Sequence, residues 1–98
     1  MESNMNRDGD KLTVAISGRL DTLSSPDFEK EMEPAIEGVK ELIIDLKDLD
    51  YISSAGLRVI LSIQKNMAEK GGLKVTNVND IIMEIFDVTG FAEILTIE

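Results

Sequence analysis

The sequence predicts an α/β domain built on a mostly parallel sheet of about four to five strands with three main helices. Three observations carry that expectation. Short apolar runs at residues 11–18, 41–46 and 73–78 read as strands, two of them with strict period-two alternation. Between them lie stretches of helical spacing, beginning near residues 25, 55 and 79. Strands and helices alternating at these lengths call for parallel pairing through right-handed crossovers. Ninety-eight residues, 43% of them hydrophobic, suffice for one domain over residues 1–98 with a single core.

In chain order, Glu2 to Arg7 suits a short edge strand, turned by Asp8-Gly9-Asp10. Leu12, Val14 and Ile16 then alternate with Thr13, Ala15 and Ser17 in a strand from Lys11 to Gly18. A loop from Gly18 to Ser24 leads to the first helix, with Ser25 as N-cap and Pro26 at the first helical position, where a missing N–H costs nothing. Phe28, Met32, Ala35 and Ile36 share its inner face, and Pro34 predicts a kink or early stop before Gly38. Glu41 to Leu46 is a nearly continuous apolar run of the kind buried in parallel sheets, and Lys47 to Ile52 reads as a polar turn. The second helix spans about Ala55 to Lys70, with Leu57, Val59, Ile60, Leu61, Ile63, Met67 and Ala68 inward and a stop at Gly71-Gly72. A strand from Leu73 to Val78 follows, then a third helix capped by Asn79 and burying Ile82, Ile85 and Phe86. Glu93 to Ile97 is expected as a last short strand.

Composition narrows the chemistry. The chain has no cysteine and no histidine, which removes disulfides, thiolate nucleophiles, the usual zinc ligands and the commonest general base. No metal, cofactor or catalytic residue is expected, and an enzyme is not. A net charge of −9 repels nucleic-acid phosphates and anionic membranes, and either serves solubility alone or complements a basic protein partner. No apolar run is long enough to cross a membrane, and the polar N-terminus lacks the apolar centre of a signal peptide, so a cytoplasmic protein is expected.

The junction from Asp45 to Leu61 places Ser53 and Ser54 between an apolar strand and an amphipathic helix. The first N–H groups of such a helix lack intrahelical partners and, with the helix dipole, favour an anion. A phosphate on a serine there adds about −1.5 to −2 charges at a place the fold tolerates, while altering the surface a partner meets. The small residues Ala55 and Gly56 leave room for that partner. Residue chemistry alone leaves a simpler reading open, in which one of the two serines is only an N-cap. A serine nucleophile has no activating histidine and no Gly-x-Ser-x-Gly setting.

The segment Asp-Leu-Lys-Asp-Leu-Asp-Tyr-Ile-Ser-Ser-Ala-Gly-Leu-Arg-Val-Ile-Leu, residues 45–61, resembles the signature of STAS domains, specifically free-standing anti-sigma factor antagonists. Gly18-Arg19-Leu20-Asp21 is similar to the family's Gly-x-Leu-Asp, Gly71-Gly72 sits at the expected helix-to-strand turn, and Phe86 to Phe91 resembles the closing Phe-x-x-x-Gly-Leu/Phe motif. The resemblance implies a partner switch. The unphosphorylated antagonist binds an anti-sigma factor that is also a serine kinase of histidine-kinase-like ATPase fold, phosphorylation ends the complex, and a PPM-type phosphatase restores it. Counted back from Leu57, the implied phosphoacceptor is Ser54. Ser53 stands where the family has an acid, which makes it a rival acceptor, and Ala55 also departs from the pattern. Asp21 matches the family's loop aspartate. It joins Thr22, Ser53, Ala55, Gly56 and Arg58 as the expected partner-binding set.

Two other readings compete. A constitutive STAS subunit of a transport or lipid-trafficking assembly would use Ser54 only as a cap. A receiver-type phosphoprotein would use Asp45 or Asp48, but the chain lacks the receiver's clustered acidic pair and its late lysine.

Overall fold

The computed structural model describes residues 1–98. Nine elements follow in order: β1 (Glu2–Asp8), β2 (Lys11–Leu20), α1 (Ser25–Ala35), β3 (Glu41–Ile52), α2 (Ser54–Ala68), β4 (Leu73–Thr76), α3 (Asp80–Thr89), α4 (Phe91–Ile94) and β5 (Thr96–Ile97). The strands form one sheet in the order β1-β2-β3-β4-β5, antiparallel between β1 and β2 and parallel thereafter. Each parallel step moves in the same direction, so right-handed crossovers deliver α1, α2 and α3 to a single face.

Burial records that one-sided arrangement. Leu12, Val14 and Ile16 of β2, Leu42, Ile44 and Leu46 of β3, and Leu73 and Val75 of β4 are all buried. The intervening Thr13, Ala15, Ile43, Asp45, Lys74 and Thr76 are half-buried on the uncovered face. The apolar run of β3 is therefore buried on one side only, and Ile43 is its exception on the other. Phe28 and Met32 of α1, Ile60, Ile63 and Met67 of α2, and Ile82 and Phe86 of α3 join them in a core cluster of 23 residues. Each such side chain contributes about 1.5–3 kcal/mol by leaving water.

Ala68, expected on the inner face of α2, is exposed, and four expected element bounds need correction. Lys47 to Ile52 is strand, not turn: Asp48 to Ile52 continue parallel to Ser17 to Leu20, and β2 correspondingly runs through Leu20 instead of ending at Gly18. The inward residues of β3 change spacing from two, at Leu42, Ile44 and Leu46, to three, at Leu49 and Ile52. Two register irregularities explain it. Ala15 to Ser17 faces Asp45 to Asp48, and Gly18 to Arg19 faces Leu49 to Tyr51, so β3 carries an extra residue at each. These bulges also bend the strand end that leads to the serine turn.

The N-cap of α1 is Ser24, not Ser25. Ser24 has near-helical angles (φ −90°, ψ −23°), and the Ser25 N–H donates to the Asp21 carbonyl at 2.9 Å. Ser25 is thereby turned inward, 2% exposed, with its hydroxyl unpaired. Pro34 lies in the last turn of α1, where it removes only the bond its N–H would give to the Lys30 carbonyl, and the helix ends at Ala35.

Residues 93–97 are not one strand. Gly90 takes the left-handed conformation (φ 82°), Phe91–Ile94 forms a short helix beside α3, and only Thr96 and Ile97 pair with Lys74 and Val75. With β4 only four residues long, little edge remains for a longer partner. The fourth correction concerns the strand expected from Leu73 to Val78, which ends at Thr76, where Asn77 adopts φ 55°. Asn79 caps α3 as expected, accepting from the Ile82 N–H at 2.9 Å and donating to the Leu49 carbonyl at 2.7 Å. No helix is long and apolar enough to cross a membrane.

Candidate functional site

The junction between β3 and α2 is held from three sides. Ile52 is buried, and Ser53 follows in extended conformation (φ −93°, ψ 176°) as the N-cap. The Ser53 N–H donates to the Leu20 carbonyl at 2.9 Å, which ties the helix start to the end of β2. The Ser53 carbonyl accepts from the Leu57 N–H at 2.9 Å, and its hydroxyl accepts from the Gly56 N–H across a long 3.4 Å. Gly56 is buried against the sheet. A Cβ there would lie 2.6 Å from the Leu20 carbonyl oxygen and 2.8 Å from Ile52 Cγ1. The glycine thus lets α2 approach the sheet; it faces β2 instead of offering backbone to a partner.

Ser54 is the first residue of α2 and is exposed. Its N–H and that of Ala55 precede the first intrahelical donor, the Leu57 N–H, so both belong to the electropositive end of the helix. The first turn of α2 holds no acid, and Arg58, one turn on from Ser54, is exposed on the same side.

The end of β2 supplies the second wall. Leu20 pairs with Ile52, so the residues that follow, Asp21 and Ser53, leave adjacent strands side by side. Asp21 organises its own loop: one carboxylate oxygen accepts from the N–H groups of Leu23 at 3.0 Å and Ser24 at 3.1 Å, and the other pairs with Arg19 at 3.6 Å. The Ser24 backbone N–H is the main cause holding the Asp21 carboxyl below the usual carboxylate range, with Leu23, the Ser24 hydroxyl and Arg19 adding to it and desolvation opposing. Asp21 is ionised throughout the neutral range. The Ser24 hydroxyl donates to the Arg19 carbonyl at 2.8 Å and accepts from the Asp21 N–H at 3.0 Å. Arg19 also lies over the Tyr51 ring, 4.5 Å from its centroid.

Between the helices runs an open groove of about 490 Å³, lined from the α1 side by Thr22, Ser25, Pro26 and Glu29 and from α2 by Ala55, Arg58, Val59 and Ser62. The structure therefore brings Asp21, Thr22, Ser53, Ser54, Ala55 and Arg58 to one end of the domain and sets Gly56 beneath them. Sequence reasoning missed Pro26, Glu29, Ser62 and the Arg19–Tyr51 stack. Residues 55, 58, 59 and 62 do carry a visible helical spacing; that this stripe faces the start of α1 is a matter of packing. Asp45 lies mid-strand, accepting from the Lys47 N–H at 2.9 Å and the Asn77 side chain at 3.1 Å, away from the strand end where a receiver keeps its aspartate. No group of three or more His, Cys, Asp or Glu side chains converges to hold a metal ion.

Comparison with known proteins gives this geometry a family. A model described as the STAS domain matches residues 2–98. The anti-sigma-B factor antagonist of Bacillus subtilis is 34% identical over 87 residues, covering 88% of this chain and 80% of that protein. The crystal structure of an anti-sigma factor antagonist from Mycobacterium paratuberculosis superposes with a TM-score of 0.88 at 18% identity, covering 98% of this chain and 83% of that one. The Bacillus cell fate determinant SpoIIAA, in its phosphorylated form, superposes with a TM-score of 0.76 at 16% identity over 99% of this chain and 91% of its own. With the family model matched over nearly its whole length, the chain belongs to the STAS domain family.

Proposed function

We propose that this chain is an anti-sigma factor antagonist whose binding is switched by phosphorylation of Ser54. One observation carries the reading: Ser54 is exposed at the first position of α2, on a turn clamped to β2 through Ser53 and Gly56. The relative from Bacillus subtilis, named an anti-sigma-B factor antagonist, supports the partner class. SpoIIAA, solved in a phosphorylated form, supports the chemistry.

In this reading the unphosphorylated turn, the Asp21–Thr22 loop and Arg58 form the face that packs on an anti-sigma factor. That factor is a serine kinase of histidine-kinase-like ATPase fold, and a PPM-type phosphatase reverses the modification in the cytoplasm. The chain itself acts by binding, as a single domain without a catalytic site or cofactor. Ser54 is favoured over Ser53 because the Ser53 hydroxyl is half-buried and engaged as the cap, whereas the Ser54 side chain projects to solvent. A phosphate on Ser54 meets the free N–H groups of α2 and the Arg58 side of the helix, so the fold tolerates it. The same dianion, beside the ionised Asp21, confronts the partner with charge it must desolvate, and binding falls.

Incubation with the purified cognate kinase and ATP, read by intact mass, tests this. The expected result is one added phosphate that Ser54→Ala abolishes and Ser53→Ala retains. Ser54→Asp is expected to weaken partner binding by at least about 1.4 kcal/mol, tenfold, while leaving stability equal or raised by a few tenths of a kcal/mol. An unmodified chain that binds its partner equally well with and without Ser54→Asp would instead indicate a constitutive subunit.

A further inference from the structure

The second open groove of the molecule, about 300 Å³, lies on α3 and shares no residue with the one beside Ser54. Ile81, Glu84, Ile85, Val88 and Thr89 line it. Ile81 is 61% and Val88 81% exposed, although Ile82 and Phe86 of the same helix are fully buried. At about 100° per residue the helix therefore presents three stripes. Ile82 and Phe86 face the sheet; Ile81, Ile85 and Val88 form an apolar edge at spacings of four and three; Asp80, Glu84 and Asp87 run beside that edge toward solvent. A contiguous apolar stripe left uncovered on a helix and flanked by polar residues has the character of an interaction surface.

Charge identifies what covers it. The last cation of the chain is Lys74, and everything beyond it carries Asp80, Glu84, Asp87, Glu93 and Glu98 with no Lys or Arg. Of these only Glu98 takes part in an ion pair, with Lys74, so the α3 carboxylates are free. The C-terminal end of α3 adds its own negative dipole at Val88 and Thr89. A second copy of the chain would set these acids against each other, at −9 net charge apiece, and an anionic membrane would be repelled as well.

We propose that the Ile81–Ile85–Val88 edge of α3 is a second docking surface, which takes a cationic amphipathic segment of a partner protein: apolar side chains on the stripe, Lys or Arg against Asp80, Glu84 and Asp87. The surface is separate from the Ser54 turn, so it stays available in both phosphorylation states.

The test uses the isotope-labelled full chain and a synthetic Leu/Lys peptide of about 18 residues in amphipathic helical order. Two twins accompany it: one with Glu replacing every Lys, and one of the same composition in scrambled order. Amide shifts centred on residues 80–89 are expected, with affinity at least about tenfold above both twins. Ile81→Ser/Val88→Ser should lose that preference while keeping the thermal midpoint, since both side chains are exposed, and Ser54→Asp should bind the peptide within about twofold of wild type. Equal binding of the scrambled twin, shifts centred on Ser53–Arg58, or an undiminished affinity in the double variant would each overturn the proposal. So would concentration-dependent dimerisation, or retention on phosphatidylglycerol vesicles, if lost in the double variant.

Discussion

Replacing Gly56 with alanine isolates the contact on which the serine turn depends. In an ordinary exposed helix the change stabilises by about 1 kcal/mol, because alanine is the better helix former. Here the added Cβ would lie 2.6 Å from the Leu20 carbonyl oxygen, 2.8 Å from Ile52 Cγ1 and 2.9 Å from Leu20 Cγ. Unbonded carbons attract at roughly 3.5–4.0 Å, so all three approaches are repulsive. The carbonyl cannot swing aside without losing the 2.9 Å bond it accepts from the Ser53 N–H. The cost thus falls at the upper end of the roughly 1–3 kcal/mol of overpacking, and after the propensity gain about 2 kcal/mol of destabilisation remains. For a domain of this size that is a fall in melting temperature of about 8–16 °C. Calorimetry and urea denaturation both read it. Partner binding should fall as well, because relieving the clash moves Ser53 and Ser54 away from the Asp21 loop. A variant that melts at or above the wild-type temperature would refute the close approach, and with it the account of how the turn is held.

The other expectations concern the supports of the site. Asn79→Ala removes the α3 cap and leaves the Leu49 carbonyl without its 2.7 Å donor, an expected loss of about 2 kcal/mol in urea denaturation, whereas Asn79→Asp keeps the cap and should lose about half as much. Asp21 has a depressed carboxyl pKa, so its contribution is fully present above the ordinary carboxylate value of about 3.9 and is lost as pH falls through the lower folded value. The difference in melting temperature between wild type and Asp21→Asn should accordingly be flat at neutral pH and shrink only in strong acid; a difference that first shrinks near neutrality would contradict the hydrogen-bonded loop. The Ser54→Asp experiment completes the set, since it is expected to change affinity while sparing stability.

Much of this was readable in the chain because the signals are local. Period-two alternation marked β2, Pro34 signalled that α1 is close to its end, and Asn79 capped α3 through a bond to a residue three positions away. The signal failed where one element answers to another. Lys47 to Ile52 looks like a turn because its apolar residues fall three apart, and that spacing becomes a strand only when β2 is laid alongside and the bulges absorb the extra residues. Ser25 has the chemistry of a cap, yet the bond from its N–H to the Asp21 carbonyl starts the helix one residue earlier. Residues 93–97 are apolar and β-branched enough for a short strand but meet a neighbour only four residues long.

The serine turn divides along the same line. By itself the sequence determined that Ser53 and Ser54 stand between a strand and a helix start, that neither histidine nor cysteine is there to act with them, and that the chain resembles STAS antagonists. Only the tertiary structure decided which serine is tied down and which is free. The Leu20 carbonyl reaches across from a strand more than thirty residues earlier to fix Ser53, and Gly56 yields the space that makes the reach possible. Backbone pairing between β2 and β3 then delivers Asp21 beside the turn. Such placements depend on contacts between residues far apart in the chain, which local patterns of hydrophobicity and capping do not encode.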